Sequence, residues 1–180
     1  MGAKNKLTLT VMNVLSWVIF IGLCIKTGTI FYSFIVSLQI NPEAAQNLYL
    51  RRLDLSALYN FSMIYYCSLM ILIILIWGFK AYLFYFAIQI LLKLNLVKPF
   101  STEIASLISK ISYVACLVGV LSIVASSFTV WLFTLRIHFP NGIQDFIGGS
   151  EFLFIAGILF IVALIFKSGI EIQSENELTV

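Results

Sequence analysis

Lys26 is the one charged residue that falls deep within a predicted span of this chain. A lone ammonium group at the centre of a bilayer costs about 2.5–3.5 kcal/mol on insertion scales, so something must offset it. Either Lys26 serves as a cation or coupling charge inside a bundle, or the first crossing ends near Ile25 and the side chain snorkels to the outer interface. The residues favour the second reading, because Asp54, Asp145 and Glu151 all sit near the ends of apolar runs and offer no obvious partner. Other chemistry has less to stand on. His138 is the sole histidine and lies beside Pro140, which excludes His-based metal clusters and an H-E-x-x-H helix. No serine sits in a G-x-S-x-G turn, no two intramembrane aspartates are placed to share a proton, and no glycine-rich phosphate loop occurs. Cys24, Cys67 and Cys116 fall one in each of the first three apolar runs, a spacing that suits small packing residues and not disulfides, metal ligands or a redox pair. The expectation is a protein that is not an enzyme, with no catalytic residue, no metal and no cofactor.

The elements that must position these residues follow from composition. Of 180 residues 61% are apolar and 11% charged, with a mean hydropathy of +1.04, and a single soluble domain of this length cannot hide so much apolar surface. Apolar runs extend from Leu7 to Leu38, Ala57 to Leu92, Ile104 to Leu135, and Phe146 or Glu151 to Phe166. Each is long enough to cross a hydrocarbon layer of about 30 Å as a helix. None shows the period-two alternation of a barrel strand, and helices satisfy their own backbone within lipid. The predicted fold is all-α, an integral membrane bundle of four transmembrane helices at about 11–38, 57–79, 111–135 and 151–167. Between them lie an outer loop at 39–56, a cytoplasmic amphipathic hairpin at 80–110, an outer loop at 136–150 and a cytoplasmic tail at 168–180.

Lys and Arg in short loops set orientation. With the N-terminus inside, Lys4, Lys6, Lys80, Lys93, Lys98, Lys110 and Lys167 face the cytoplasm, and only Arg51, Arg52 and Arg136 face outward. Both termini are therefore expected to be cytoplasmic. The net charge of +3 is small and scattered, which fits contact with lipid headgroups and argues against direct nucleic-acid binding. The first apolar run is too long for a signal-peptide core and lacks an A-x-A site, so it is expected to stay as an anchor; Lys6 stands where a myristoylation signal needs Ser or Thr.

Local signals fill in the connections. Asn41-Pro42-Glu43 predicts a short outer helix through about Tyr49, and Asp54 or Ser56 is expected to cap the second span. Residues 81–95 carry a narrow polar stripe and either lie in the inner headgroup region or extend the second span into the cytoplasm. Lys98-Pro99-Phe100 ends that element, and Ser101 or Thr102 with Glu103 starts the next. Ala115 and Gly119, like Ser122 and Ser126, are spaced to let a neighbouring helix approach closely. Gly148-Gly149-Ser150-Glu151 reads as a flexible turn before the last span. The tail turns acidic, and Glu171, Glu175 and Glu177 interleave with Ile170, Ile172 and Leu178. Together with Pro99 and Phe100 these glutamates are candidate docking residues for a basic soluble partner.

Nearly the whole chain resembles a group of small bacterial four-span membrane proteins classed only as a domain of unknown function. The marks are Phe20-Ile21-Gly22-Leu23-Cys24-Ile25, Asn41-Pro42-Glu43-Ala44-Ala45, Leu53-Asp54-Leu55-Ser56, Lys98-Pro99-Phe100 and the stretch Glu171 to Val180. The resemblance implies a bacterial inner-membrane protein, typically encoded beside a small Cro/CI-like helix-turn-helix regulator, and it supplies no catalytic residue. Two functions are expected in consequence. In the first, the bundle is a regulatory or sensory partner of such a regulator. In the second, a homo-oligomer acts as a small transporter or protects against membrane-active agents.

Overall fold

The computed structural model describes residues 3–39, 54–94, 100–137, 139 and 142–178. Among these the chain is helical without a strand. The helices are α1 (Ala3–Gln39), α2 (Ser56–Phe61), α3 (Met63–Lys93), α4 (Thr102–Thr134), α5 (Ile143–Ile147) and α6 (Phe152–Leu178). The outer helix expected from Asn41, and Arg51, Arg52, Lys98, Pro99, His138 and Pro140, lie outside the described residues.

Four of the helices, α1, α3, α4 and α6, are long and apolar enough to cross a membrane. They run alternately up and down. Phe20 meets Tyr85 and Phe34 meets Tyr66 across α1 and α3, while Ser112 reaches Ala156 across α4 and α6. The start of α1 and the end of α6 therefore lie at one end of the molecule. Each long helix packs chiefly on its neighbours in sequence, forming a row. α1 is held along one side only, and among its described side chains Ile30 and Ser37 alone are buried. Large apolar side chains cover the outside, among them Val18 and Ile25 on α1 and Phe154 and Ile161 on α6. Water would penalise such a surface and lipid solvates it, so the chain is a multi-pass membrane protein.

The boundaries depart from the expected ones for identifiable reasons. α3 runs unbroken through Lys93, so residues 81–93 continue the line of the span and do not form a separate interfacial helix. The hairpin they make with α4 is closed by an ion pair between Lys93 and Glu103, an exposed contact worth little by itself. At 31 and 33 residues, α3 and α4 are about 46–50 Å long, well beyond the thickness of a hydrocarbon core. α4 begins at Ser101, whose Oγ accepts from the Ile104 amide. Ser101→Ala is expected to cost about 1 kcal/mol in thermal or denaturant unfolding, and an unchanged midpoint would show the cap to be idle. At the other end Arg136 adopts φ 61°, the left-handed stop that follows many helices.

The largest departure lies between α4 and α6. Within 136–150, expected as an outer loop, residues 142–150 fold back along α4. Gln144 Nε2 donates to Thr129 Oγ1 at 3.0 Å, Gly149 abuts Ser122, and Leu153 abuts Gly119. The chain thus descends to half the height of α4 before α6 starts. Ile137, Ile143 and Ile147 are buried in the main core with Tyr66, Leu69, Met70, Ile73 and Leu132, which is why this stretch cannot lie on the surface. Gly142 makes the turn at φ 97°, a conformation that glycine adopts without penalty. α6 then covers only the first half of α4, where Phe86, Leu107 and Ile111 and then Ile104, Ile108 and Ala163 form the remaining core. It continues as helix through 168–178, where a tail was expected, because Phe100 packs on Gly169 and no proline interrupts it.

Candidate functional site

The antiparallel register of α1 on α3 brings Lys26 to Trp77. Its Nζ lies 3.2 Å from the centre of the indole ring and 4.6 Å from that of Phe146. The side chain is half-buried against these rings, and α1 continues as helix to Gln39. Contact with two aromatic faces offsets part of the cost of burying the ammonium group, on the order of 2 kcal/mol for a desolvated cation–π pair.

Lys80 is the residue that sequence reasoning missed. Expected at the inner flank of the second span, it lies within α3, one helical turn from Trp77 and on the same face. Its Nζ lies 4.6 Å from the centre of the same indole ring and 5.5 Å from that of Phe152, and it donates to the Gly148 carbonyl at 2.6 Å. Exposed Glu151 is close enough to attract it. The available signal was the Trp77–Lys80 spacing in a run with no helix-ending residue. A boundary set at residue 79 concealed it.

Two ammonium groups therefore share one indole, at the depth where the folded-back segment gives way to α6. Two further donors are orphaned there. Trp77 Nε1 and Ser122 Oγ are buried without a hydrogen-bond partner, each at a cost of about 1–3 kcal/mol. Ser122 belongs to a buried small-residue stripe on α4, with Ser112, Ala115, Gly119, Ala125 and Thr129. Ser126, spaced with Ser122 for a close helix approach, is only half-buried and accepts from Thr129 Oγ1 through its backbone carbonyl. The site is rich in donors and net positive among the described residues. Its described residues are donors and include no hydrogen-bonded pair of nucleophile and base.

The docking residues lie at the far end of α6. Phe100 stacks edge-on against Phe166 with ring centres 5.3 Å apart and covers Gly169, so it joins the base of the tail to the hairpin and only part of it faces outward. Glu171 and Glu175 are exposed beyond that joint; Glu177 lies on the same helix, and Pro99 is outside the described residues. A groove lined by Thr102, Ser106, Ser109, Tyr113, Lys167 and Ile170 runs beside them. Lys26 and Lys80 thus stand near one end of α6 and the glutamates near the other, about 30 Å apart along the helix at 1.5 Å per residue.

A family model described as Protein of unknown function (DUF2975) matches residues 34–180. No curated protein and no solved structure matches the chain.

Proposed function

The chain belongs to that family of unknown function, and we propose that it is a non-enzymatic regulatory protein of the bacterial inner membrane whose acidic helical end engages a small basic DNA-binding regulator. The continuity of α6 carries this reading. One unbroken helix has its first turn against the Lys80 contact and its glutamates beyond the bundle, so a change at the lysine site has a rigid route to the docking end. An acidic surface at that end suits a partner whose own function demands positive charge. DNA contact would belong to the partner, and both ends of the row face the cytoplasm in this reading.

The test keeps the joint at Gly169 and changes only what projects from it. With an affinity tag at the N-terminus, the full-length protein and a Glu171→Gln/Glu175→Gln variant are purified gently from native membranes. The wild type is expected to retain a small helix-turn-helix protein that the variant holds about tenfold more weakly, the equivalent of two surface ion pairs. Equal retention, or target-gene expression unaffected by the variant, defeats the proposal. The lysine site also supports a second reading, transport or membrane protection by a homo-oligomer, since a row of four helices does not enclose a path alone. A detergent-corrected mass equal to one chain would exclude it.

A further inference from the structure

We propose that the groove between the first turns of α4 and the Lys167 region of α6 binds one anionic phospholipid, with its phosphate held by Lys167 and the hydroxyls of Thr102 and Ser106. The inference goes beyond the partner reading and does not rest on it.

Three observations carry it. The groove is a formed space of about 330 Å³, within the range of ligand-sized pockets, about 300–1,000 Å³. Next, one line of α4 changes character in the order a phospholipid does. Thr102, Ser106, Ser109 and Tyr113 follow one another along the groove at helical spacing, and the same line continues as Leu117, Val120 and Val124, all exposed. From Tyr113 to Val124 the helix rises about 16 Å, the depth of one leaflet of a hydrocarbon core about 30 Å thick. Hydroxyls thus face a headgroup and aliphatic side chains an acyl chain, with the exposed Tyr113 at the boundary, where tyrosine is favoured. Finally, the stretch Phe152 to Phe166 carries no charge, and Lys167, the first charged residue of α6, lines the groove.

The charges select the class of lipid. Lys167 is exposed and makes no ion pair among the described residues, and its ammonium group donates without accepting. Glu103, beside Thr102, is engaged by Lys93. Glu171, one turn beyond Lys167, is exposed and does not line the groove. A zwitterionic headgroup would bring its own cation beside Lys167 with no lining carboxylate to receive it. Phosphatidylglycerol brings one negative charge, which Lys167 meets with a charge-assisted hydrogen bond. Its glycerol hydroxyls also find an acceptor, because Ser109 Oγ spends its proton on the Ala105 carbonyl and keeps its lone pairs.

To test the site, the full-length protein is delipidated in mild detergent and titrated with phosphatidylglycerol or phosphatidylcholine of matched chains. Native mass spectrometry counts the lipid bound. The first phosphatidylglycerol is expected to bind at least about fivefold more tightly than the first phosphatidylcholine, the weight of one lysine beside an anionic headgroup. Lys167→Gln should abolish that preference. Ser106→Leu fills the groove from an exposed position and retains every charge, and it should weaken phosphatidylglycerol by a similar factor. Lys110→Gln, on the other side of Tyr113, should change the affinity by less than about twofold if the groove and not diffuse charge is responsible. Equal losses in Lys110→Gln and Lys167→Gln, an unaffected Ser106→Leu, or no preference between the two lipids overturns the proposal. Soluble glycerol phosphate binding as tightly as the lipid would assign the groove to a free anion and overturn it as well. No regulator takes part, so the result is independent of partner capture by the glutamates.

Discussion

Gly119→Ala loosens α6 from α4 and lowers the stability of the bundle by about 1–3 kcal/mol, the range for overpacking a close contact. Alanine in a helix interior is ordinarily better than glycine by about 1 kcal/mol, so the sign itself is informative. A methyl group at Gly119 would lie 2.6 Å from Leu153 Cγ, 2.9 Å from its Cδ2 and 2.9 Å from its backbone nitrogen. The leucine side chain can withdraw. The backbone cannot, unless the whole first turn of α6 moves. Leu153→Ala in the same chain should therefore fail to restore stability, and Gly119→Val should be worse than Gly119→Ala. Unfolding in mixed micelles measures all three. Gly157, with nothing within 4 Å of the corresponding point, is the control at which alanine is neutral or favourable. Stability in Gly119→Ala equal to or above the wild type would mean that α6 does not approach α4 this closely.

The second large effect has the opposite rescue behaviour. A methyl group at Gly149 would meet Ser122 Oγ at 2.6 Å, with Lys80 Cε and Nζ at a tolerable 3.4 Å. Here the steric obstacle is one side-chain atom on α4, added to the strain of any side chain at φ 159°. Gly149→Ala is expected to destabilise by about 2 kcal/mol and to displace the Gly148 carbonyl from Lys80. Adding Ser122→Gly should recover the packing loss, leaving the backbone strain at residue 149 and the intrinsic cost of a second helical glycine, about 1 kcal/mol. A double-mutant cycle in the same unfolding assay gives the coupling, and strict additivity of the two changes would refute the contact. A peptide tag inserted between Gly148 and Gly149 would be far more damaging than either substitution, since it parts α6 from a packed segment.

The class of the fold was legible because lipid imposes a single demand, runs of apolar residues long enough to cross it, and four runs met that demand. What happens within the runs was harder to see. The approach of α6 to α4 at Gly119 accords with small-residue spacing, and the cap at Ser101 with hydroxyl chemistry after Pro99-Phe100. Lys80 is easily misplaced because counting basic residues for orientation rewards putting a lysine in a loop, while nothing local to it reports the arrival of Gly148 from 68 residues away. The segment 136–150 misleads for a related reason. Gly142 signals its turn truthfully, but Ile137, Ile143 and Ile147 are too widely spaced to register as a period, and only the groove beyond the end of α6 gives them somewhere to go. In α6 itself, the change from apolar to acidic composition reads as the end of a helix. It marks only a change of surroundings along one.

The one-sided attachment of α1 decides by which door the lysine site can be reached. From the end of the bundle nearest α2, a visitor would have to part the main core around Tyr66 and Leu69. From the flank, the barrier is the seam between α1 and α3, sealed near Lys26 by Thr27 against Gly78, where no side chain projects from α3. A sideways displacement of α1 would open that seam and leave the α3–α4 and α4–α6 packing in place. The family match begins at residue 34, where Phe34 and Ser37 fasten α1 to Tyr66. With Phe20 on Tyr85 and Lys26 on Trp77, the helix is thus held along one seam and presents its other sides to lipid.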